Sequence, residues 1–207
     1  MNSSARFWNR IATRYSRKPV PDEEIYKKKL EITQSYFRPE MKLLEIGCGT
    51  GSTALTHASQ VSHILAIDFS EKMIELAETK RNSAGIRNVD FECRTFKVLN
   101  LPDNSFDIVL GLSILHLLES WNETIQNVYS LLKPGGWFIS STVCIADSMK
   151  LFKFIAPIGR SIGLLPELAI FTRDELVQGL CSAGFILEHE WQPEKNQAIF
   201  IVVQKPR

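Results

Sequence analysis

Three glycines at alternating positions follow an acidic residue at the end of an apolar run. The acid is Glu45, and the glycines are Gly47, Gly49 and Gly51. Glycine adopts backbone angles that are closed to other residues and lets a ligand approach the main chain closely. A strand that enters such a turn, followed by a helix, forms a shallow cradle for a nucleotide-like ligand. The pattern E-x-G-x-G-x-G predicts such a cradle, with a glycine-rich turn that binds no ligand as the alternative.

The glycine spacing and one downstream acid narrow the kind of ligand. A nicotinamide-binding fingerprint reads G-x-G-x-x-G, but position 52 is Ser52 here, which disfavours a nicotinamide dehydrogenase. Asp68 falls 21 positions after Gly47, at the end of the next apolar segment. An acid at the tip of a second strand can accept hydrogen bonds from both ribose hydroxyls. These residues together predict a ligand that contains a ribose.

Composition limits the classes of function that remain. The chain has 207 residues, 44% of them hydrophobic, which suits one domain with a sizeable core. Its net charge of +1 favours neither a nucleic-acid nor a membrane partner. No signal peptide and no apolar run of about 20 residues is visible. The cysteines lie far apart, so we expect no metal or redox site and a reducing, cytoplasmic setting; they are Cys48, Cys93, Cys144 and Cys181.

Two helices are predicted ahead of the glycine segment. The first covers Phe7–Tyr15, with apolar residues at helical spacing. The second begins after Asp22, a good N-cap, and continues to about Phe37, before Pro39. We treat residues 1–40 as an N-terminal helical cap. This cap lies over the mouth of the ligand site or packs on the outside of the domain.

Beyond residue 40, apolar segments that suit strands alternate with segments that suit helices. The predicted strands are 41–46, 63–67, 89–93, 106–111, 137–143, 185–191 and 198–203. The predicted helices are 52–60, 71–84, 121–132 and 173–183, the second capped by Ser70 and the last by a Thr172–Glu175 capping box. Residues 133–136 are predicted as a sharp turn. The pattern implies a mostly parallel sheet with helices on both faces and one antiparallel strand at the end.

From about Met41 to Pro206 the chain resembles a class I S-adenosylmethionine (SAM)-dependent methyltransferase. It is most similar to the small-molecule group that includes the ubiquinone and menaquinone methyltransferases. Besides the glycine segment, Asp68, Asn104–Asp107 and Leu131–Gly136 carry the resemblance. It implies a methyltransferase domain over residues 41–207. The implied fold is a Rossmann-like three-layer α/β/α sandwich with a seven-stranded sheet of order 3-2-1-4-5-7-6, strand 7 being antiparallel.

The resemblance also implies a set of cofactor contacts, with SAM as the methyl donor and S-adenosylhomocysteine (SAH) as its product. The predicted cofactor-binding residues are Tyr15, Glu45, Gly47, Cys48, Gly49, Gly51, Asp68, Phe69, Thr95, Phe96 and Leu112. In this scheme the three glycines leave room for the ligand. Thr95 stands where many relatives carry an aspartate that binds the adenine amino group. A hydroxyl can accept the same bond without charge, and the Phe96 N–H can serve the ring nitrogen.

The remaining contacts concern the methionine end and the adenine face. Glu45 either orients the loop or binds the ligand's ammonium through water, and Phe69 lies against the adenine. The carbonyl of Leu112 meets the ammonium, and Tyr15 closes the methionine end. Lys28 and Lys29 could reach the ligand's carboxylate, but a solvated helix face is the preferred interpretation for both.

Methyl transfer is an in-line displacement that needs alignment and the exclusion of water. A base is needed only where the acceptor holds a proton of high pKa. His116 follows the fourth strand and is the candidate base, since histidine takes a proton near neutral pH; a structural histidine in a packed turn is the alternative. We expect the other histidines, His57, His63 and His189, to be structural.

Residues 148–171 are predicted as a lid insertion over the acceptor. The segment is rich in Leu, Phe and Ile, and Arg160 could meet an acidic group on an aromatic, isoprenoid or acyl acceptor. A buried cap or a subunit interface is the alternative, and short broken helices disfavour membrane contact. We expect a small-molecule acceptor and a monomer or homodimer. Residues 111–114 lack the motif of base-methylating enzymes, so no nucleic-acid partner is expected. A non-catalytic SAM-binding regulatory protein is the second hypothesis.

Overall fold

The structure, a computed structural model, describes residues 3–148, 168–194 and 197–207. Its strands are β1 Lys42–Ile46, β2 His63–Asp68, β3 Val89–Cys93, β4 Phe106–Leu112, β5 Leu132–Thr142, β6 Ile186–Trp191 and β7 Ile199–Gln204. Its helices are α1 Ser3–Ser16, α2 Glu23–Gln34, α3 Ser52–His57, α4 Glu71–Ala84, α5 Trp121–Leu131, α6 Ile145–Ser148 and α7 Arg173–Ser182. Short 3₁₀ turns cover Ala58–Gln60, Phe96–Val98 and Leu115–Leu117. The predicted α/β alternation is confirmed.

The seven strands form one sheet in the order β3-β2-β1-β4-β5-β7-β6. The β1–β2, β1–β4, β2–β3 and β4–β5 pairs are parallel, whereas β7 runs antiparallel to both β5 and β6. The order and the antiparallel seventh strand confirm the fold that the family resemblance implied. The carboxyl ends of β1, β2, β4 and β5 therefore meet along one edge, where α/β sheets bind their ligands.

Two apolar clusters pack on opposite faces of the sheet and make the three layers. One joins the sheet to α5 and α7 through residues such as Val128 and Leu176. The other joins it to α2, α3 and α4, with Ala54 and Ala77 buried at the helix–sheet contact. None of the helices within the described ranges combines the length and the apolar character needed to cross a lipid bilayer.

Local capping signals are confirmed at three helices. Asp22, Ser70 and Thr172 each accept a hydrogen bond from a main-chain N–H in the first turn of α2, α4 and α7 respectively. Thr172 and Glu175 form the predicted capping box. The predicted end of α2 at Phe37 was too late, because the helix ends at Gln34 and the chain then forms tight turns.

The predicted turn at residues 133–136 is instead a bulged part of β5. The ladder pairs Phe106 with Leu132 and then Ile108 with Trp137, so the six residues 132–137 of β5 oppose the three residues 106–108 of β4. Within the bulge Gly135 has φ +81°, and its N–H donates to the carbonyl of Lys205 at 2.9 Å. The prediction of a glycine-dependent bend was right, but the hydrogen bond to Lys205 keeps this segment within the strand as a bulge.

Candidate functional site

The glycine segment forms a tight turn between β1 and α3, at the carboxyl edge of the sheet. The N–H groups of Gly47 and Cys48 both donate to the carbonyl of Ile67 on β2, at 2.8 and 3.0 Å. Gly47, Gly49 and Gly51 all have φ between +54° and +74°, a region that favours glycine. These angles make the main chain itself the surface of the turn.

The three glycines serve different purposes. A Cβ on Gly47 would lie 2.6 Å from Ile114 Cδ1, and one on Gly51 would lie 2.5 Å from Phe91 Cζ. These two positions are needed for packing within the protein, which corrects the prediction that all three leave room for the ligand. A Cβ on Gly49 would meet nothing within 4 Å. Only Gly49 therefore opens its α-carbon onto free space that a ligand can enter.

Asp68 ends β2 beside Gly49. Its Oδ2 accepts a hydrogen bond from the N–H of Gly49 at 3.0 Å, and its Oδ1 accepts one from the N–H of Ser70 at 2.8 Å. Burial raises the pKa of this carboxyl, although N–H bonds from Ser70, Gly49 and Phe69 pull the pKa back down. The carboxylate thus fixes the glycine turn, and each oxygen retains lone pairs for further donors such as ribose hydroxyls.

Glu45 lies beneath the glycine turn and is only 3% exposed. Its Oε2 is buried without a hydrogen-bond partner within the described residues. Burial raises its pKa to about 8, assisted by the charge of Asp68 and opposed by a hydrogen bond from the Ala54 N–H. A cation placed here would stabilise the ionised form and satisfy the orphan oxygen.

Cys48, also in the predicted set, has a thiol buried between the glycines. Burial raises its pKa well above the ordinary value, and the charges of Glu45 and Asp68 raise it further. A protonated thiol of this kind is a packing group rather than a nucleophile.

The residues predicted to face adenine lie on the β2 and β3 side of the turn. Phe69 follows Asp68 directly and is half-buried. Thr95 is exposed and precedes the 3₁₀ turn Phe96–Val98, while the Phe96 ring is buried in the core cluster under α5. Thr95 thus presents its hydroxyl to the surface, and the Phe96 side chain serves the core.

Helix α1 docks on α4 close to Asp68. The Oδ1 of Asn9 accepts from the Ser70 hydroxyl at 2.6 Å and from the Lys72 N–H at 3.2 Å. Tyr15, in the last turn of α1, is 49% exposed, yet burial of its hydroxyl and the charge of Asp68 both raise its pKa. This phenol therefore lies within electrostatic range of Asp68. Sequence reasoning missed Asn9, because an isolated helical asparagine gives no local signal.

His116 lies in the 3₁₀ turn after β4. Its Nδ1 is 3.0 Å from the hydroxyl of Thr142, which also accepts the main-chain N–H of His116 at 3.3 Å. Burial lowers the pKa of His116 to about 4, so the imidazole is neutral at pH 7. This corrects the expectation of titration near neutral pH. Thr142, at the end of β5, was missed because it is 26 residues away in sequence.

The turn between β4 and His116 is unusual in its backbone. Leu112 ends β4 half-buried, and Ser113 has φ +59°, which is uncommon for a residue other than glycine. The N–H of Ser113 donates to the carbonyl of Ser141 at 2.6 Å. Strained residues of this kind cluster at ligand sites, and the bond fixes the end of β4 against the end of β5.

Lys29 is the clearest departure from the sequence-based interpretation. Instead of lying on a solvated helix face, its Nζ donates to the Ser141 hydroxyl at 2.9 Å, and the side chain is half-buried. Burial lowers the pKa of this lysine. Lys28, the preceding residue, is exposed and lies 4.2 Å from the centre of the Trp191 ring.

Most of the predicted lid, at positions 149–167 and including Arg160, lies outside the described residues. Its described end packs against the site. The N–H of Ala169 donates to the carbonyl of His116 at 2.9 Å. Phe171 is 2% exposed, and its ring packs at a tilt of 40° against the Trp121 ring, with ring centres 4.6 Å apart. The segment thus returns to the sheet next to the His116 turn.

These features fit SAM chemically. The open face at Gly49 leaves space for a ligand against the main chain, and the adjacent Asp68 carboxylate has lone pairs that a diol could use. The buried, orphaned oxygen of Glu45 suits a ligand that brings positive charge. The chain therefore offers groups for the ribose and for the cationic end of such a molecule.

The chain is similar to known methyltransferases both in sequence and in structure. A family model described as "Methyltransferase domain" matches residues 37–198, well over half of the chain. The uncharacterized methyltransferase YcgJ of Bacillus subtilis is 32% identical over 110 residues, 53% of this chain and 44% of that protein. Its crystal structure superimposes with a TM-score of 0.74 at 19% identity, covering 87% of this chain and 99% of that one.

Two relatives have names that state a substrate. The demethylmenaquinone methyltransferase of Symbiobacterium thermophilum is 30% identical over 128 residues, 60% of this chain and 49% of that protein. The malonyl-[acyl-carrier protein] O-methyltransferase of Bacillus cereus is 33% identical over 104 residues, 49% of this chain and 37% of that protein. The matched stretches thus span less than half the length of these curated relatives.

Proposed function

The chain belongs to the methyltransferase domain family, of the SAM-dependent class, and from this premise we propose that it methylates a small apolar or aromatic molecule. The observation that supports the cofactor side of the proposal is the open face of Gly49 directly beside the Asp68 carboxylate, joined by the 3.0 Å hydrogen bond between them. Bare main chain next to a ribose-binding acid is what a sulfonium nucleoside requires. No other part of the described sheet edge combines these two features.

Bound SAM supplies a methyl group that its positively charged sulfur has already activated. The chain's own residues then have to bind, orient and exclude water. Asp68 would hold the ribose, and Phe69 and Thr95 would border the adenine. Glu45, ionising on binding, would offset positive charge, while the Leu112 carbonyl would accept from the ammonium. Tyr15 would close the methionine end from α1.

The acceptor side is proposed to lie over the ends of β4 and β5. Apolar residues dominate positions 148–171 in the sequence, and the described end of that segment returns to the His116 turn. The named substrates of two relatives, a demethylmenaquinone and a malonyl-acyl carrier protein, carry a quinone-related ring or an acyl group. We therefore favour apolar phenols, quinols and acyl compounds over small polar amines.

His116 is proposed as a minor contributor to proton removal. Its neutral imidazole is available at pH 7, but a base with a pKa of about 4 has little driving force to take a proton from a phenol. An acceptor that ionises by itself, such as an acidic phenol or a carboxylic acid, suits this site better. Alignment of the acceptor, rather than base strength, then supplies most of the rate.

The test has two stages. Calorimetry on the purified protein should give micromolar or tighter binding of both SAM and SAH. SAH release is then followed over time with a panel of phenols, quinols, acyl acids and polar amines. Turnover with apolar acceptors supports the proposal, and preference for polar amines overturns the acceptor class. Tight binding with no turnover on any acceptor would favour the non-catalytic SAM-binding protein, and absence of binding would overturn both.

A further inference from the structure

Lys29 is a half-buried cation at the carboxyl edge of the sheet, close to the end of β4, and it is not in the predicted set of cofactor contacts. Its Nζ donates to the hydroxyl of Ser141, which is 3% exposed and lies next to the last residue of β5. Ser141 pairs in the ladder with Leu112, the last residue of β4. The ammonium group is thereby fixed beside the position where the methionine end and the acceptor would meet.

Among the residues that the structure describes, no acidic side chain pairs with the ammonium group of Lys29. Burial is the only cause that lowers its pKa, and no carboxylate contributes to that shift. Within the described residues, no ion pair joins Lys29 to an acid. An ammonium group offers three N–H donors, and Ser141 accepts one of them. Partial burial of an unpaired cation is costly, and such groups concentrate at ligand sites.

The neighbouring lysine shows that this placement is specific. Lys28, one residue earlier on α2, is exposed and lies over the Trp191 ring. Helix α2 itself is fixed on the sheet: the Tyr36 ring that follows it lies 4.7 Å from the Trp137 ring of β5. The helix therefore delivers one lysine to the surface and the next to the sheet edge.

We propose that Lys29, held in place by Ser141, binds the anionic group, a carboxylate or a phosphate, of a molecule seated at the carboxyl ends of β4 and β5. This inference rests on the proposed methyltransferase function, because it assigns a charge to a ligand of that same edge. Two molecules could supply the anion: the amino-acid carboxylate of the cofactor, or an acidic acceptor. Either anion would accept hydrogen bonds from the remaining N–H donors of the ammonium group.

The test compares Lys29→Met with Lys28→Met, which removes the same charge from the adjacent position. Calorimetry measures SAH and 5′-methylthioadenosine, which shares the nucleoside but lacks the carboxylate. If the cofactor supplies the anion, Lys29→Met weakens SAH about tenfold or more, the size expected for a hydrogen bond to a charged group. The affinity for methylthioadenosine stays within about twofold of the wild-type value in both variants. Lys29→Arg recovers part of the SAH affinity.

If the acceptor supplies the anion, SAH affinity is unchanged and the SAH-loaded protein is titrated with decanoate and decanamide. Lys29→Met then lowers the affinity for decanoate about tenfold, while decanamide binds equally well to all variants. Ser141→Ala, which keeps the charge but removes its anchor, should produce a smaller loss for the same ligand. Either pattern supports the anion site.

The proposal is overturned if Lys29→Met matches Lys28→Met for both SAH and decanoate. Thermal unfolding separates a structural role: removal of an unpaired, half-buried cation should leave Tm unchanged or higher. A lower Tm with unaltered ligand selectivity would make the Ser141 contact structural only. Failure of the wild-type protein to bind SAH would instead count against the proposed function, and titration of the ligand-free protein with decanoate and decanamide would then decide the role of Lys29.

Discussion

The two halves of the site are built in different ways. The proposed cofactor half centres on the ends of β1 and β2, where main-chain hydrogen bonds and the Asp68 carboxylate fix the glycine turn within residues 45–70. The proposed acceptor half lies at the ends of β4 and β5, where side chains from distant positions in the chain meet. Lys29 and Ser141, which are hydrogen-bonded there, are 112 residues apart in the chain.

This difference determines how readily the residues of each half can be substituted without disturbing the fold. A cradle made of main chain depends on glycine geometry and tolerates few substitutions without disturbing the fold. A surface made of separate side chains can change its chemistry one residue at a time while the sheet stays intact. Under the proposed function, the cofactor half would therefore define the class of reaction, and the acceptor half would define the substrate.

The largest expected effect separates packing glycines from the ligand-facing one. Gly51→Ala would combine a left-handed φ of +74° with a Cβ 2.5 Å from Phe91 Cζ and 2.8 Å from Ala77 Cβ. We expect it to lower the free energy of unfolding by about 3 kcal/mol. Gly49→Ala should cost only about 1 kcal/mol of stability but should impair SAH binding. Urea unfolding and calorimetry measure both; equal stability of the two variants would refute the distinction.

Removal of Asp68 should affect the cofactor half alone. Asp68→Ala loses the ribose acceptor and the bond that holds the Gly49 N–H, so we expect SAH and methylthioadenosine to bind about 30-fold more weakly, about 2 kcal/mol. Asp90→Ala, an exposed acid on β3, is the matched control and should bind both ligands normally. Decanoate binding should be unaffected. Equal loss in the two variants would show that Asp68 is not a ligand contact.

The buried acid should make cofactor binding depend on pH. Glu45 is mostly protonated at pH 6, since its pKa is about 8, and a cationic ligand favours its ionised form. Binding therefore releases a proton, and SAM affinity should rise about tenfold from pH 6 to 8 and level off above. Glu45→Gln, measured by calorimetry in buffers of different ionisation enthalpy, should remove this part of the dependence. An identical pH profile in Glu45→Gln would contradict the assignment.

The smallest expected effect concerns the acceptor half. With a pKa of about 4, His116 is a weak base, so His116→Asn should lower kcat by about fivefold or less, against roughly 100-fold or more for a residue that is essential as a general base. SAH affinity should not change. Thr142→Val, which removes the partner of Nδ1, should behave similarly. A loss of 100-fold in kcat with an apolar phenol would restore His116 as the principal base.

The elements of the fold and the glycine turn were largely predictable because their signals are local. Caps at Asp22, Ser70 and Thr172, together with the alternation of strands and helices, act within a few residues. The strand order came from the resemblance rather than from periodicity, and the structure confirms it. The bulge at Gly135 was not predictable, since it depends on pairing with the main chain of Lys205 at the chain terminus.

The acceptor half was predicted only in outline. His116 was identified by its place after β4, but its low pKa depends on burial that the sequence does not encode locally. A solvated helix face was the preferred interpretation for both Lys28 and Lys29, because helical spacing does not reveal which of the two meets Ser141. Thr142 and Asn9 have no motif of their own, so only their partners in space give them a role.

By itself, the sequence determined the alternation of elements, the turn made of main chain and the acid that follows it, because glycine angles, caps and apolar periodicity act over short distances. The tertiary structure decided which glycine faces a ligand, how strongly Glu45 and His116 hold protons, and which lysine reaches the sheet edge. Those properties arise from burial and from contacts between residues far apart in the chain, and they exist only once the sheet has assembled.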